Sequence, residues 1–299
     1  MKENIFINNS LKISITNVCN YDCSYCSNEG QTHESKEYID LDFIKQLCEN
    51  IQKEEIYTRR VNITGGEPLL HKQLIEIVKE FAKVSECVAL NTNASLLNKE
   101  KILELKNAGV SALKIGIDSI VGEQTKPCMK NTKNYVDIVK ENIVFAKEVI
   151  PDTSLDVVLS EFNIDKMESI IEFIVSNKLN NSIFIELVQD DFWNNGNIPN
   201  KGIGFEVLLD LLKKQNENLN YSYNEKKGLY SIKMAEDVTV FYALDYCTLK
   251  LCGSLCTRIN SKGEMVPCIK EGIGIKLDLN KEIGTQISEA NKKSFCNIN

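Results

Sequence analysis

Leu11-Lys-Ile-Ser-Ile-Thr16 runs straight into Cys19-Asn-Tyr-Asp-Cys23-Ser-Tyr-Cys26. The first stretch alternates apolar and polar residues and reads as a strand. The second places three thiols within eight residues at the end of that strand. Three thiolates at this spacing can wrap one corner of an iron–sulfur cube and leave one of its four irons without a protein ligand. The competing reading is a zinc knuckle or a purely structural cluster. Structural zinc usually takes four ligands in paired motifs, and no second pair lies nearby.

Composition narrows the classes. A chain of 299 residues is long enough for one large or two modest domains and for a full core. Its net charge of −7, with no basic run, disfavours nucleic acid, where phosphate contacts dominate affinity. No apolar run is long enough to predict a membrane span, and the N-terminus lacks a signal-peptide core. A cytoplasmic setting is expected. Eleven cysteines are an odd number and do not suggest a disulfide framework there. Cys48, Cys87 and Cys128 are scattered and read as small apolar fillers. With His33 and His71 the two histidines, metal chemistry has to rest mainly on thiolates.

Strand-like and helix-like segments then alternate. Strands are predicted at Leu11–Thr16, Arg60–Thr64, Val88–Thr92, Ala112–Asp118, Ser154–Ser160 and Ile183–Val188. Helices are predicted at Leu41–Ile51, Lys72–Val84, Lys99–Ala108, Asn134–Val149 and Asp165–Asn177. Six βα units in a row imply a parallel sheet. Fully buried parallel strands read as continuous apolar runs, yet these alternate. Lys114, Gly116 and Asp118 oppose Leu113, Ile115 and Ile117; Asp156 opposes Val157; Glu186 interrupts the sixth strand. The expected fold is α/β, a partial (β/α)6 TIM-type barrel with a polar lumen. From about residue 190 turn-forming residues, a helix at Phe205–Lys214 and extended segments take over. Residues 1–190 are therefore read as the barrel and 191–299 as a smaller C-terminal module containing a β-hairpin and closing the barrel mouth.

Further motifs sit at strand ends. Thr64-Gly65-Gly66-Glu67-Pro68 follows the second strand, where glycines allow a tight turn and close approach of backbone to a ligand. Leu90-Asn91-Thr92-Asn93-Ala94 ends the third strand, Asp118 the fourth and Leu159 the fifth. Thr257–Asn260 and Glu264–Val266 flank a Ser-Lys-Gly turn and read as a hairpin between Cys256 and Cys268.

Taken together, the Cys-x3-Cys-x2-Cys run with an aromatic residue, Tyr25, before its last cysteine resembles the signature of the radical S-adenosylmethionine (SAM) family. The resemblance implies a [4Fe–4S] cluster on Cys19, Cys23 and Cys26, with SAM at the vacant iron. It implies SAM contacts from Tyr25, from Gly65, Gly66, Glu67 and Pro68, and from Thr92, Asn93, Asp118 and Leu159. Ala94 and Gly116 depart from the glycine and serine usual in two of these segments. Reductive cleavage of SAM would yield a 5′-deoxyadenosyl radical that abstracts hydrogen from the substrate, with an electron donor such as flavodoxin or ferredoxin.

The segment from Cys252 to Cys268 fits Cys-x(9–15)-Gly-x4-Cys and resembles the twitch and SPASM modules, which hold auxiliary iron–sulfur clusters. Only Cys296 follows, so the shorter, single-cluster type fits better. Cys247, Cys252, Cys256 and Cys268 are the candidate ligands; a four-thiolate zinc site is permitted by the same residues. Cys247 or Cys256 is also read as a candidate hydrogen-atom donor.

The chain further resembles the GTP 3′,8-cyclases of molybdenum cofactor synthesis in Ile-Thr-Asn-Val-Cys-Asn20, Gly65-Gly-Glu-Pro68 and Arg258-Ile-Asn-Ser-Lys-Gly-Glu-Met-Val-Pro-Cys268. Val18 stands where those enzymes carry an arginine, Arg258 alone remains of a pair in the hairpin, and the chain ends Cys296-Asn-Ile-Asn rather than in two glycines. The expected substrate is a small polar metabolite, such as a sugar or aminocyclitol, or a peptide. The absence of an N-terminal recognition domain before residue 11 weighs against the peptide. Oxidation, epimerisation and crosslinking all remain open as outcomes. Lys114, Asp156, Glu186 and Arg258 are the candidate substrate contacts, the first three equally readable as a buried network. GTP cyclisation is the alternative activity, and an iron–sulfur electron-transfer or binding module is the second.

Overall fold

The computed structural model describes residues 4–21, 23, 25–26, 35–120, 135–161, 163–187, 203–244, 256–267 and 274–293. Six βα repeats open the chain. They run β1 (Ser10–Ser14), α1 (Leu41–Lys53), β2 (Arg60–Thr64), α2 (Leu74–Val84), β3 (Cys87–Thr92), α3 (Lys99–Ala108) and β4 (Val110–Gly116). Next come α4 (Tyr135–Val149), β5 (Asp152–Leu159), α5 (Met167–Ser176), β6 (Ile183–Glu186) and α6 (Phe205–Gln215). Local chemistry sets the boundaries: Asp40 caps α1 by accepting from Asp42 N at 2.9 Å, and Asn98 caps α3 by accepting from Lys101 N at 2.8 Å.

After α6 come β7 (Asn220–Asn224), β8 (Leu229–Ala235) and β9 (Val238–Ala243), then β10 (Thr257–Ile259), β11 (Glu264–Met265), β12 (Ile275–Lys276) and α7 (Ile283–Lys292). All strands belong to one open sheet, in the order β12-β11-β10-β1-β2-β3-β4-β5-β6-β9-β8-β7. Two C-terminal strands are parallel additions to the first six, β9 beside β6 and β10 beside β1. The remaining C-terminal strands are antiparallel additions at the two rims. The fold is thus the expected α/β partial barrel. The described strands after residue 203 lengthen its wall at both edges.

Leu11, Ile13, Val61, Ile63, Leu90, Leu113, Ile115, Leu155 and Val157 are 2% exposed or less and pack under the helices. Burying each such side chain contributes about 1.5–3 kcal/mol. The alternate positions point to the concave side. There Lys12 lies beside Asn62, Asn91 beside Lys114, Lys114 beside Ser154, and Gly116 beside Asp156. The polar lumen read from the alternation is present. The C-terminal ends of the parallel strands lie together at one end of it.

Candidate active site

The chain leaves β1 through Thr16 and Asn17, whose side chains tie the outgoing segment to the returning one. Thr16 Oγ1 donates to Glu37 O at 2.7 Å, and Asn17 Nδ2 donates to Ser35 O at 2.8 Å. Between these ties lie Cys19, Cys23 and Cys26, all half-buried and free of disulfides. Cys26 N donates to Cys23 O at 3.1 Å, closing a turn. Tyr21 N donates to Cys19 Sγ at 3.3 Å. Burial pushes the Cys19 thiol up to about 11; the Tyr21 amide opposes this and Glu67 adds to it.

The Gly65–Gly66 turn presses directly on this loop. Gly66 N donates to Thr16 O at 2.7 Å and Glu67 N to Val18 O at 2.8 Å. A Cβ on Gly65 would stand 2.3 Å from Thr16 O, and one on Gly66 would stand 2.2 Å from Val18 O and 2.8 Å from Cys19 N. Gly65 also sits at φ +149°, where side chains are strained. Both glycines are therefore required by geometry.

Glu67 is 0% exposed. Its carboxylate accepts from Leu69 N at 3.0 Å, Thr92 Oγ1 at 2.7 Å and Asn93 N at 2.8 Å. Burial raises its pKa; the three donors oppose the rise. It straps the end of β2 to the end of β3. Sealed in this way, Glu67 and Thr92 act as a strut between the two strand ends. Pro68 is buried and starts the short turn after Glu67. Asn93 stays at the mouth. Its Nδ2 donates to Asn20 Oδ1 at 3.0 Å and lies 3.9 Å from Cys19 Sγ. Ala94 takes φ +60°, the left-handed conformation that glycine favours at this step.

Tyr25 Oη donates to Asp118 Oδ1 at 2.5 Å, so the aromatic of the cysteine loop meets the residue just past β4. Leu159 pairs with Glu186, is 0% exposed, and belongs to the helix-packed face; the lumen neighbour is Val158. Glu186 goes with it. Its side faces that of Phe184 and Tyr242, and it raises the Tyr242 hydroxyl pKa after burial, the larger cause. Glu186 therefore leaves the group formed by Lys114 and Asp156, because one step along a strand reverses the face.

Lys114 Nζ donates to Ser154 Oγ at 2.6 Å and to Asn181 O at 3.4 Å. Asp156 feels Lys114, then Lys12 and Arg60, but burial outweighs them and raises its pKa. Arg258 stands beside Lys12 in register. Lys12 and Arg60 were legible as polar-face positions of their strands but carried no motif to single them out. Cys256 precedes β10, whose Thr257 pairs with Leu11, at the opposite end of the strands from Cys19. Five residues separate the Leu11 and Thr16 levels, so Cys256 and the cysteine loop are about 17–20 Å apart along the wall. Cys247, Cys252 and Cys268 lie outside the described residues, as do His33, Cys128 and Cys296.

Residues 13–174 match the Radical SAM superfamily, and the chain belongs to that family. GTP 3′,8-cyclase of Campylobacter jejuni is 30% identical over 284 residues, covering 90% of this chain and 83% of its own. GTP 3′,8-cyclase of Helicobacter pylori is 27% identical over 269 residues, covering 87% and 79%. Among solved structures, Streptococcus suis SuiB bound to S-adenosylmethionine aligns with a TM-score of 0.65 at 14% identity. It covers 92% of this chain, which spans 64% of the SuiB length. Native anSMEcpe with bound AdoMet aligns with a TM-score of 0.64 at 13% identity, covering 96% of this chain and 81% of its own. These likenesses support the partial-barrel fold. The family's cofactors are a [4Fe–4S] cluster and SAM. The donor set fits them: three free thiols on one loop, with a side-chain-free turn beside it. No described helix is long and apolar enough to cross a membrane.

Proposed function

We propose that this enzyme cleaves SAM at a cluster held by Cys19, Cys23 and Cys26 and acts on a small polar substrate in the lumen. The observation that carries the reading is the clearance at Gly65 and Gly66, where any side chain would strike the backbone of Thr16 or Val18. Such close backbone approach presses the glycine turn onto the loop that carries Cys19. Held by these three thiolates, the cluster would supply the electron for reductive cleavage of SAM and so the hydrogen-abstracting chemistry of the family. The chain's part is to bind and orient. Gly65, Gly66 and Asn93 line the cluster side, Tyr25 and Asp118 join the loop to β4, and Lys114, Asp156 and Arg258 contact substrate. A flavodoxin- or ferredoxin-type donor delivers the electron. Residues 191–299 form a twitch-like module with an auxiliary cluster on Cys247, Cys252, Cys256 and Cys268. The position of Cys256 at the far end of the wall supports a substrate lying between the two clusters.

Release of 5′-deoxyadenosine from SAM by the reconstituted, reduced protein tests the reading. Its absence, with full iron at the cysteine loop, would sink it. An iron content of about eight rather than four per chain tests the auxiliary cluster. A second reading, GTP cyclisation, is favoured by the names of the relatives and by the Lys12–Arg258 pair in the lumen. Incubation with GTP, SAM and reductant separates the two: a cyclised nucleotide product selects the second.

A further inference from the structure

One rim of the sheet ends on a strand without the usual guards. β7 is the terminal strand on that side among the described residues. Edge strands are normally protected from pairing by lysines, prolines, bulges or short length. The other rim follows that rule, since β12 is the two-residue strand Ile275–Lys276. β7 is Asn220-Tyr221-Ser222-Tyr223-Asn224, exposed throughout, with no charge, no proline and no break in its register with β8.

The neighbouring ladder fixes which backbone groups of β7 face outward. Leu244 N donates to Gly228 O at 3.0 Å, one step beyond the Leu229–Ala243 pair. Hydrogen-bonded and non-hydrogen-bonded pairs alternate between antiparallel strands, so Leu229, Ser231 and Lys233 turn their backbone groups toward β7. Asn224, Ser222 and Asn220 are their partners. Tyr221 and Tyr223 therefore aim both N–H and C=O away from β8, along the open rim. The same two residues end an aromatic row. Phe205 stacks on Tyr230 with ring centroids 3.8 Å apart, and Tyr230 lies 4.6 Å from Tyr223. Tyr221 and Tyr223 are left 51% and 43% exposed.

The strand reads the same in both directions, and this selects its partner. We propose that two copies of this protein pair antiparallel along β7, about a two-fold axis at Ser222. Two-fold contacts need a self-complementary surface. In this register Tyr221 stands opposite Tyr223 of the partner subunit, and each such pair exchanges both N–H···O bonds, so every outward group of the two tyrosines is satisfied. A shift of one residue would set outward groups against inward ones. The rings meet across the strands and extend the aromatic row. Charge agrees as well. The turn Glu225-Lys226-Lys227 is net positive, and antiparallel pairing sets it beside Glu217 of the partner subunit, on the approach to β7.

Sedimentation velocity on the cluster-loaded protein tests this with Ser222→Lys and Ser222→Glu. Residue 222 would face its own copy across the axis, so like charges there oppose pairing, while the backbone bonds to β8 are kept. The wild type is expected to sediment as a dimer. Each variant should weaken dimerisation at least about tenfold, and an equimolar mixture of the two should restore it. Restoration also shows that both variants are folded. In hydrogen exchange the amides of Tyr221 and Tyr223 should be slow in the wild type and fast in either variant alone. A dimer that Ser222→Lys leaves unchanged places the contact elsewhere and overturns the proposal. A wild type that stays monomeric also overturns it, and slow exchange in such a monomer would give the rim to another segment of the same chain.

Discussion

Glu67 is a carboxylate without solvent, held by Leu69 N, Thr92 Oγ1 and Asn93 N. Every partner is a donor to it, so an amide nitrogen in its place would face a donor. Glu67→Gln is expected to cost about 1–3 kcal/mol, read from the midpoint of urea unfolding. An unshifted midpoint would show that the strut is not needed. Gly66 poses a steric rather than a polar question. With Val18 O 2.2 Å from the added carbon, Gly66→Ala must displace the loop that carries Cys19. The variant should keep its far-ultraviolet circular dichroism yet lose most of its iron on reconstitution. Full iron retention would separate the turn from the cluster loop. The glycines were legible in the motif. The strut was not, because the order Gly-Gly-Glu-Pro does not say which way the third side chain turns.

At the scale of elements, the short turn after β2 is pinned by His71, which is 6% exposed. Its Nδ1 accepts from Gln73 N at 3.1 Å while Nε2 lies 3.0 Å from Ile39 O, an arrangement suited to the neutral ring. Burial lowers its pKa below the ordinary 6.5, and the bond to Ile39 O opposes this. As pH falls below 6.5 the unfolded chain takes up the proton first, so stability is full above that value and is lost on going lower. Thermal melts of the wild type and His71→Phe between pH 7 and pH 5 should show a shallower fall for the variant. Parallel curves would remove His71 from the pH response. Strand alternation sets the faces at this scale. Lys114 and Asp156 share the lumen face as the period of two requires, whereas Leu159 and Glu186 sit one step off, on the face of Val157 and Phe184.

Across the whole molecule, the C-terminal helix α7 is tied to the end of α1 at the edge of the barrel. Glu54, just past α1, accepts from Ile283 N at 2.8 Å and Gly284 N at 2.7 Å, and so caps α7 from more than two hundred residues away. Asn50 Nδ2 adds a bond to Leu279 O at 2.8 Å. Glu54→Ala should cost about 1–2 kcal/mol through the lost cap, seen as a lower denaturation midpoint. If the midpoint holds, the C-terminal segment is anchored by β10 and its packing instead. The hairpin tip adds a second tie, Ser261 Oγ donating to Glu37 at 3.1 Å. The sequence by itself determined the βα order, the two faces of each strand, the three-cysteine loop and the glycine turn. Those features are local, set by periods of two and by backbone space. Tertiary structure alone decided that β9 and β10 join opposite edges of one sheet, that Cys256 stands at the far end from Cys19, and that Glu67 points inward. It also decided that β7 is left as one rim of that sheet. Each of these depends on which strands pair across long stretches of chain, and pairing is chosen by the burial of the whole sheet.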